Sequence, residues 1–97
     1  MSAYFIFHNR IHNQEKMQQY IAKAFASLQP FEPEFLVLDE NTRMIEGTSE
    51  HPRTIVIKFK SRADAQAWYD SPAYREALPL RLAACEGVAM IVDGYSP

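Results

Sequence analysis

His8 is the residue in this 97-residue chain whose type and position best suit chemistry near neutral pH. It lies in the apolar segment Ala3–Ile11, and an imidazole with a pKa near ~6.5 can accept or donate a proton there. In an extended strand its side chain shares a face with those of Tyr4, Ile6 and Arg10, because side chains alternate. The sequence therefore predicts an acid–base residue with Tyr4 as a neighbouring ligand contact. The alternative is a strand-end histidine hydrogen-bonded at the surface or at a dimer interface.

Four further side chains are candidate ligand contacts. Lys58 lies on the strand face opposite Ile57, where its ammonium could bind an anion in a pocket or extend to water. Trp68 could form the wall of a cavity, or it could fill the core with its N–H bonded to the backbone. Tyr74 and Arg81 lie two turns apart on one helix face. They could line a polar cleft, or Arg81 could form an ion pair that holds the helix in place.

Other residue types do not form a recognisable reactive centre. Cys85 lies in an apolar stripe with no histidine near it in the sequence, which indicates a buried structural thiol. His8, His12 and His51 lack the spacing of a metal site. The three glycines are isolated and form no phosphate-binding loop. We therefore expect neither a resident metal nor a cofactor.

Composition limits the class of protein. The net charge of −2 and the hydrophobic fraction of 47% are typical of one globular domain, here residues 1–97. The apolar runs are too short for a membrane helix of ~20 residues, and no basic region precedes the N-terminal apolar stretch as in a secretory signal. We expect a cytoplasmic protein. The acidic charge balance indicates neither a nucleic-acid nor a membrane partner.

Hydrophobic periodicity predicts the elements that position these residues. An aromatic and β-branched run predicts a strand over Ala3–Ile11. Asn13 is predicted to cap a helix that ends before Pro30, with an apolar stripe of Met17, Tyr20, Ile21, Ala24, Phe25 and Leu28. Further strands are predicted over residues 35–38, 54–59 and 88–92, with a brief extension over 43–46 closed by Gly47.

Two helical pieces are predicted between the last two strands. Ser61 caps the first, and Ser71 caps the second with Pro72 at the first helical position. Pro79 should kink the second piece and Gly87 should end it; its apolar stripe is Tyr74, Ala77, Leu78, Leu82 and Cys85. Taken as one broken crossover, the pieces complete a βαββαβ order. This order predicts an α+β, ferredoxin-like fold with the helices on one face of a four-stranded antiparallel sheet.

The predicted strands barely alternate between apolar and polar residues. A sheet with one helix-covered face and one wet face should alternate, whereas AYFIF, FLVL, TIVI and VAMIV are apolar on both faces. The chain has enough helix to cover only one face. We therefore predict a homodimer in which two sheets meet face to face and enclose a barrel-like interior.

Residues 59–81 resemble the family called domain of unknown function 1330. The positions that match its motifs are Phe59, Ser61, Ala65, Trp68, Tyr69, Ser71, Pro72, Tyr74 and Arg81. The resemblance extends over nearly the whole chain and implies a ferredoxin-like fold in a dimeric α/β barrel. The family is uncharacterised and implies no reaction. Similar barrels include cofactor-free monooxygenases and small isomerases or dehydratases, but a shared fold is weak support for a shared activity.

The chain departs from that family pattern at two places. Family members usually carry a Gly-Gly-Arg-Tyr-like segment after the first helix and another glycine pair after the second strand. Residues 33–40 here, PEFLVLDE with Leu38 near the end, contain no glycine. Near the end of the third strand, Lys58 stands where the family often has a glutamate. A pocket that depends on that arginine and glutamate would carry different charges in this chain.

Two functions fit these residues, and the sequence does not decide between them. The first is a cofactor-free enzyme or a binding protein for a small, partly apolar metabolite, held between sheet and helices within a dimer. His8 would be its acid–base residue, and Lys58 or Arg81 would contact an anion. The alternative is a non-enzymatic dimeric structural or interaction module whose apolar sheet face serves assembly alone. His8 and Lys58 favour the first, because polar side chains suit a purely hydrophobic interface poorly.

Overall fold

The computed structural model describes residues 1–96 and contains one four-stranded sheet and three α-helices. The elements are β1 (Ala3–Ile11), α1 (Gln14–Leu28), a 3-10 turn (Gln29–Phe31), β2 (Glu34–Asp39), β3 (Arg53–Phe59), α2 (Arg62–Asp70), α3 (Pro72–Ala84) and β4 (Cys85–Asp93). The predicted order of strands and helices is confirmed. Among residues 1–96, no helix combines the length and the apolar character needed to cross a membrane.

The strands lie in the order β2-β3-β1-β4, and every neighbouring pair is antiparallel. This arrangement confirms the predicted ferredoxin-like fold. On β1, residues alternate between buried and half-buried positions from Ala3 to Asn9, so successive side chains point to opposite faces of the sheet. The buried face is the one that the helices cover, and the face away from them is called the open face below.

Each helix begins where its capping residue predicts. The Asn13 side chain accepts a hydrogen bond from the Lys16 N–H at 3.0 Å, and Ser61 Oγ accepts one from Asp64 at the same distance. Ser71 Oγ accepts from the Tyr74 N–H at 3.2 Å, and Pro72 opens α3. These side chains satisfy backbone donors that have no partner within the helix. The starts of the three α-helices are therefore set by local chemistry.

Some predicted boundaries are wrong. Residues 43–46 form no strand, and α3 continues through Pro79 but ends at Ala84 rather than near Gly87. Strand β4 starts at Cys85, earlier than expected, because the Ala84 carbonyl accepts hydrogen bonds from the N–H groups of His12 and Asn13. That contact ties the end of α3 to the end of β1, where Cys85 pairs with Ile11.

The predicted apolar stripes each include one exposed residue. Leu82 on α3 is 63% exposed, and Phe25 on α1 is 48% exposed and stacks on Phe35 of β2. The main core lies between the sheet and the three helices. Its largest fully buried side chains are Met17, Phe59, Trp68 and Tyr74. Several residues of this core also line a cavity beside α1.

The open face carries apolar side chains from all four strands. The register places Ile6 of β1 opposite Val56 of β3 on one side and Met90 of β4 on the other. Val37 of β2 lies opposite Val56 in turn. Val37 and Met90 are among the exposed large hydrophobic residues. Such a patch on an isolated sheet is typical of an interaction surface.

Candidate functional site

The sheet divides the predicted site residues into two groups. His8, Tyr4 and Lys58 lie on the open face, where Tyr4 pairs with Lys58 across β1 and β3. Trp68, Tyr74 and Arg81 lie on the helix-covered side, where they pack within or beside the core. Within one protomer, His8 and Arg81 therefore do not meet in one pocket. The sequence could not show this, because they come from different elements.

A cavity of about 110 Å³ lies between α1 and the helix-covered face of the sheet. Its wall is almost wholly apolar, and it is partly open to solvent. Its lining includes the aromatic rings of Phe7, Tyr20 and Trp68 and the polar side chains of Asn9, Arg53 and Arg81. Two of them, Trp68 and Arg81, were predicted as ligand contacts. Tyr74 lies behind this wall and touches both Tyr20 and Arg81.

Three polar groups form a chain beside the cavity. The hydroxyls of Tyr20 and Tyr74 lie 2.9 Å apart, and the Arg81 Nε donates to the Tyr74 hydroxyl at 3.1 Å. Burial raises the pKa of Tyr20 far above its ordinary value of 10.0, and the neighbouring Tyr74 raises it further. Burial opposes the charge on Arg81, but Tyr74, Tyr20 and Cys85 together outweigh that effect, so the pKa of Arg81 is raised. Tyr20 is therefore neutral and Arg81 charged across the physiological pH range.

Arg81 makes no ion pair among residues 1–96. The sequence analysis left two roles open for Arg81, which were an ion pair and a place in a polar cleft. Its guanidinium carbon lies 5.2 Å from the centre of the Phe7 ring, a cation–π distance. Only its Nε has a hydrogen-bond partner in the described part of the chain, so the other four N–H donors of the guanidinium are free of protein acceptors.

Asn9 and Arg53 are cavity residues that the sequence analysis missed. Arg53 is buried, and its Nε donates to Glu40 at 2.8 Å. Asn9 is also buried, and within residues 1–96 its Oδ1 has no hydrogen-bond partner, which is uncommon for a buried polar atom. Both residues alternate with core residues along their strands. That alternation was the available signal, although polar residues near strand ends normally face water.

Trp68 lies in the core and also lines the cavity. Its indole N–H donates to Ser27 Oγ on α1 at 2.9 Å, so its partner is a side chain rather than the expected backbone group. Its ring packs 4.3 Å from that of Tyr74, centre to centre. Cys85 is buried nearby. Burial raises the pKa of its thiol, while the charges of Arg81 and Arg53 oppose that shift. An uncharged thiol fits the predicted structural role.

On the open face, His8 sits in a cluster of hydroxyl groups. Its Nε2 lies 2.8 Å from Ser49 Oγ, and its Nδ1 lies 3.2 Å from Thr54 Oγ1. The ring centres of His8 and His51 are 5.5 Å apart. Sequence reasoning identified His8 but not Ser49, which is 41 residues away in a polar loop. Within residues 1–96, no three His, Cys, Asp or Glu side chains are grouped to hold a metal ion.

Comparisons with known proteins address the fold and the family. The family model described as a domain of unknown function, DUF1330, matches residues 2–95. No curated protein matches the sequence at a significant level.

Solved structures show the same fold at low sequence identity. RPA0582 of Rhodopseudomonas palustris, a protein of unknown function, is similar with a TM-score of 0.82 and 16% identity, covering 99% of this chain and 84% of that one. A hydroxynitrile lyase from Passiflora edulis is similar with a TM-score of 0.67 and 22% sequence identity, covering 99% of this chain and 95% of that one. A dimeric ferredoxin-like protein of unknown function from Jannaschia sp. CCS1 is similar with a TM-score of 0.60 and 19% sequence identity, covering 99% of this chain and 100% of that one. Enzymes and proteins of unknown function thus share this architecture, which by itself assigns no activity.

Proposed function

Because this chain belongs to the DUF1330 family of domains of unknown function, its function must be argued from its own residues, and we propose that it binds a small, partly apolar molecule in the cavity between α1 and the sheet. The observation that carries this proposal is the apolar, partly open cavity with Arg81 in its wall. Pockets for small molecules typically combine an apolar lining with a few polar groups that orient the ligand.

The size of the cavity limits the ligand. An apolar cavity of about 150 Å³ in another protein stays dry and binds benzene. At about 110 Å³, the present cavity is somewhat smaller than that cavity. Because the cavity is partly open, a larger molecule could place one apolar group inside and extend the rest toward solvent. The proposed ligand class is therefore a small molecule with a compact apolar part.

The polar groups of the wall favour a ligand with one polar end. Among residues 1–96 the guanidinium of Arg81 has donors without a protein acceptor, so it would bind a carboxylate or carbonyl oxygen. The Oδ1 of Asn9 has no hydrogen-bond partner among residues 1–96, but it is sealed from solvent and is not counted as a ligand contact. Arg53 is less available, since its Nε is already paired with Glu40. These groups support a ligand such as a small aromatic acid more strongly than a pure hydrocarbon.

The proposal includes a homodimer formed through the open face. The apolar residues of that face are partly exposed in one protomer, and the helices cover only the other face. The Jannaschia protein of the same fold is dimeric. A second copy of the sheet would remove the exposed apolar surface from water. In such a dimer, Tyr4 and Lys58 would lie between the two sheets, where Lys58 could contact an anion.

Tryptophan fluorescence provides a direct test, because Trp68 is the sole tryptophan and lines the cavity. Benzoate and benzyl alcohol are the probes, titrated against the wild-type protein. We expect saturable quenching in the wild type. The variant Ala24→Leu should abolish it, because Ala24 is a buried cavity residue and the added side chain fills the space. The matched control is Ala83→Leu, at an exposed position on α3.

Two further variants keep the test decisive. Ile21→Phe fills the same cavity from another position if Ala24→Leu does not fold. Arg81→Met should weaken binding of benzoate more than that of benzyl alcohol, because only the benzoate carboxylate forms an ion pair with the guanidinium. Equal quenching in the wild type and in a folded cavity-filling variant would overturn the proposal. So would the absence of saturable binding of either probe.

A structural or interaction module is the second candidate function. The observation that favours it is the apolar open face, which by itself explains a dimer without any ligand. In that case the protein would form the dimer, and neither probe would reach the cavity. The fluorescence titration therefore separates the two candidates, and the solution mass tests the dimer that both include.

A further inference from the structure

The cluster around His8 lies on the opposite face of the sheet from the cavity and has a distinct chemistry. His8 on β1 lies between the hydroxyl of Ser49, in the loop after β2, and that of Thr54 on β3. Thr54 Oγ1 also lies 2.6 Å from Thr42 Oγ1. Two different parts of the chain thus hold the imidazole from both nitrogens. Within one protomer the side chain of Ser49 is exposed, whereas His8 is half-buried; in the proposed dimer, His8 would lie on the face that meets the second sheet.

The hydrogen bonds are consistent with one arrangement of protons. Thr54 can accept from the Nδ1–H of His8 while its own hydroxyl hydrogen points to Thr42. This tautomer leaves the Nε2 lone pair of His8 facing Ser49. The backbone N–H of His51 donates to Ser49 Oγ at 3.1 Å, so the hydroxyl hydrogen of Ser49 is directed toward Nε2. Ser49 is therefore placed to lose its proton to His8.

This geometry is that of an activated nucleophile. A serine hydroxyl becomes a useful nucleophile when an imidazole within hydrogen-bond distance takes its proton and a third group orients that imidazole. We propose that Ser49 and His8 form a nucleophile–base pair for acyl transfer from small carboxylic esters, with Thr54 as a positioning residue. The neighbours of His8 favour an apolar acyl group. Val88 of β4 lies opposite His8, and Ile6 is the next residue of β1 on the same face.

The reaction needs no metal, cofactor or oxidant. Ser49 Oγ bonds to the ester carbonyl carbon while His8 Nε2 takes the hydroxyl proton. The carbon–oxygen bond to the alcohol then breaks, and His8 returns the proton to the leaving oxygen. A water molecule next attacks the acyl-Ser49 ester, and His8 accepts the water's proton and passes it to Ser49 Oγ. The net change is one ester and one water to one acid and one alcohol.

Hydrolysis of p-nitrophenyl acetate and p-nitrophenyl butyrate tests this proposal. We expect Ser49→Ala and His8→Ala each to lower kcat/KM by at least about tenfold. The double variant should be no slower than either single variant, because residues that act as one unit are not additive. The matched control is His12→Ala, which removes an exposed imidazole that could hydrolyse the ester without any site. That variant should stay within about twofold of the wild type.

Two further measurements test the acylation of Ser49 and the role of Thr54 in positioning His8. Mass spectrometry of protein quenched with acid during turnover should find one acetyl group on Ser49. Thr54→Val should lower kcat/KM and shift its pH profile, because Nδ1 loses its partner, and Thr54→Ser should restore both. His8→Asn replaces His8→Ala if the alanine variant does not fold. Wild-type rates in Ser49→Ala, or an acetyl group on another residue alone, would overturn the proposal.

Discussion

The Nε of Arg81 donates a 3.1 Å hydrogen bond to the hydroxyl of Tyr74, two turns earlier on the same helix. The Tyr74 ring is fully buried, and its hydroxyl also lies 2.9 Å from that of Tyr20 on α1. This one hydroxyl therefore connects α1 and α3 and holds Arg81 against the cavity wall.

The first prediction concerns Tyr74→Phe, which leaves the packing intact but removes the shared hydroxyl. Tyr20 then keeps a buried hydroxyl with no partner, and we expect the free energy of unfolding to fall by about 1–3 kcal/mol. Urea denaturation measures the change. The control is Tyr69→Phe, because the Tyr69 hydroxyl has no hydrogen-bond partner among residues 1–96; its effect should stay within about 0.5 kcal/mol. Equal effects of the two substitutions would contradict the proposed role of the Tyr74 hydroxyl.

The second prediction is a loss of stability at alkaline pH. In the unfolded chain Tyr20 ionises near 10.0, whereas burial raises its pKa in the folded state. Above that pH the unfolded state binds fewer protons than the folded state, so the free energy of unfolding falls as pH rises. The slope contributed by one such group is at most about 1.4 kcal/mol per pH unit. Cys85 adds to the effect from about pH 9.0, because burial raises the pKa of its thiol too.

Tyr20→Phe should make this alkaline decline less steep, even though it removes a hydrogen bond at neutral pH. Urea denaturation at a series of pH values above 9.0 provides the slope. The control is Tyr95→Phe, at a tyrosine that is 90% exposed. A decline that is equally steep in the wild type and in Tyr20→Phe would show that Tyr20 does not cause it.

The third prediction is an energetic coupling between Trp68 and Ser27. The indole N–H donates to Ser27 Oγ, and the Ser27 hydroxyl donates to the Ala24 carbonyl at 2.6 Å. A double-mutant cycle of Trp68→Phe and Ser27→Ala should give a coupling of about 1 kcal/mol, since the second change costs less once the indole N–H is gone. The cycle of Ser27→Ala with Tyr69→Phe serves as the control. Additive effects in the first cycle would argue against the hydrogen bond.

The fourth prediction concerns Gly87, which lies within β4 opposite Asn9. Its φ is +151°, and a Cβ atom there would lie 2.2 Å from the His8 carbonyl oxygen. Gly87→Ala should therefore lower the free energy of unfolding by about 3 kcal/mol, because backbone atoms must move. Gly47→Ala is the control, since its φ is +80° but no atom lies within 4 Å. That substitution should cost about 1 kcal/mol, and a similar cost at Gly87 would contradict the contact.

The fifth prediction tests the proposed dimer. Light scattering on a size-exclusion column should give about twice the chain mass of 11.2 kDa. Val56→Lys places a charge in the middle of the open face and should shift the mass to that of one chain, because burying an unpaired charge is costly. Leu82→Lys is the matched control at an exposed leucine on α3. A monomeric wild type would refute the face-to-face dimer.

Much of the fold could be predicted because its signals are local. Asn13, Ser61 and the Ser71-Pro72 pair mark helix starts through hydrogen bonds to backbone groups a few residues away. The alternation on β1 placed His8 and Tyr4 on one face for the same reason. The start of β4 was missed because hydrogen bonds between the end of α3 and the residues after β1 decide it, and these residues are distant in sequence.

The candidate sites depend far more on tertiary structure. Trp68 and Arg81 were recognisable by residue type, but the cavity beside them exists only where α1 meets the sheet. Asn9 and Arg53 resemble ordinary polar residues near strand ends, and only the packing shows that they are buried. Ser49 comes from a polar loop, where nothing in its local sequence indicates a histidine partner.

The amino-acid sequence by itself determined the order of the elements, the helix starts and the apolar character of both sheet faces, because short-range hydrogen bonding and side-chain alternation specify them. The tertiary structure alone decided that His8 and Arg81 lie on opposite sides of the sheet and that Ser49 meets His8. Such juxtapositions arise from long-range packing, in which residues tens of positions apart are brought together by burial of a common core.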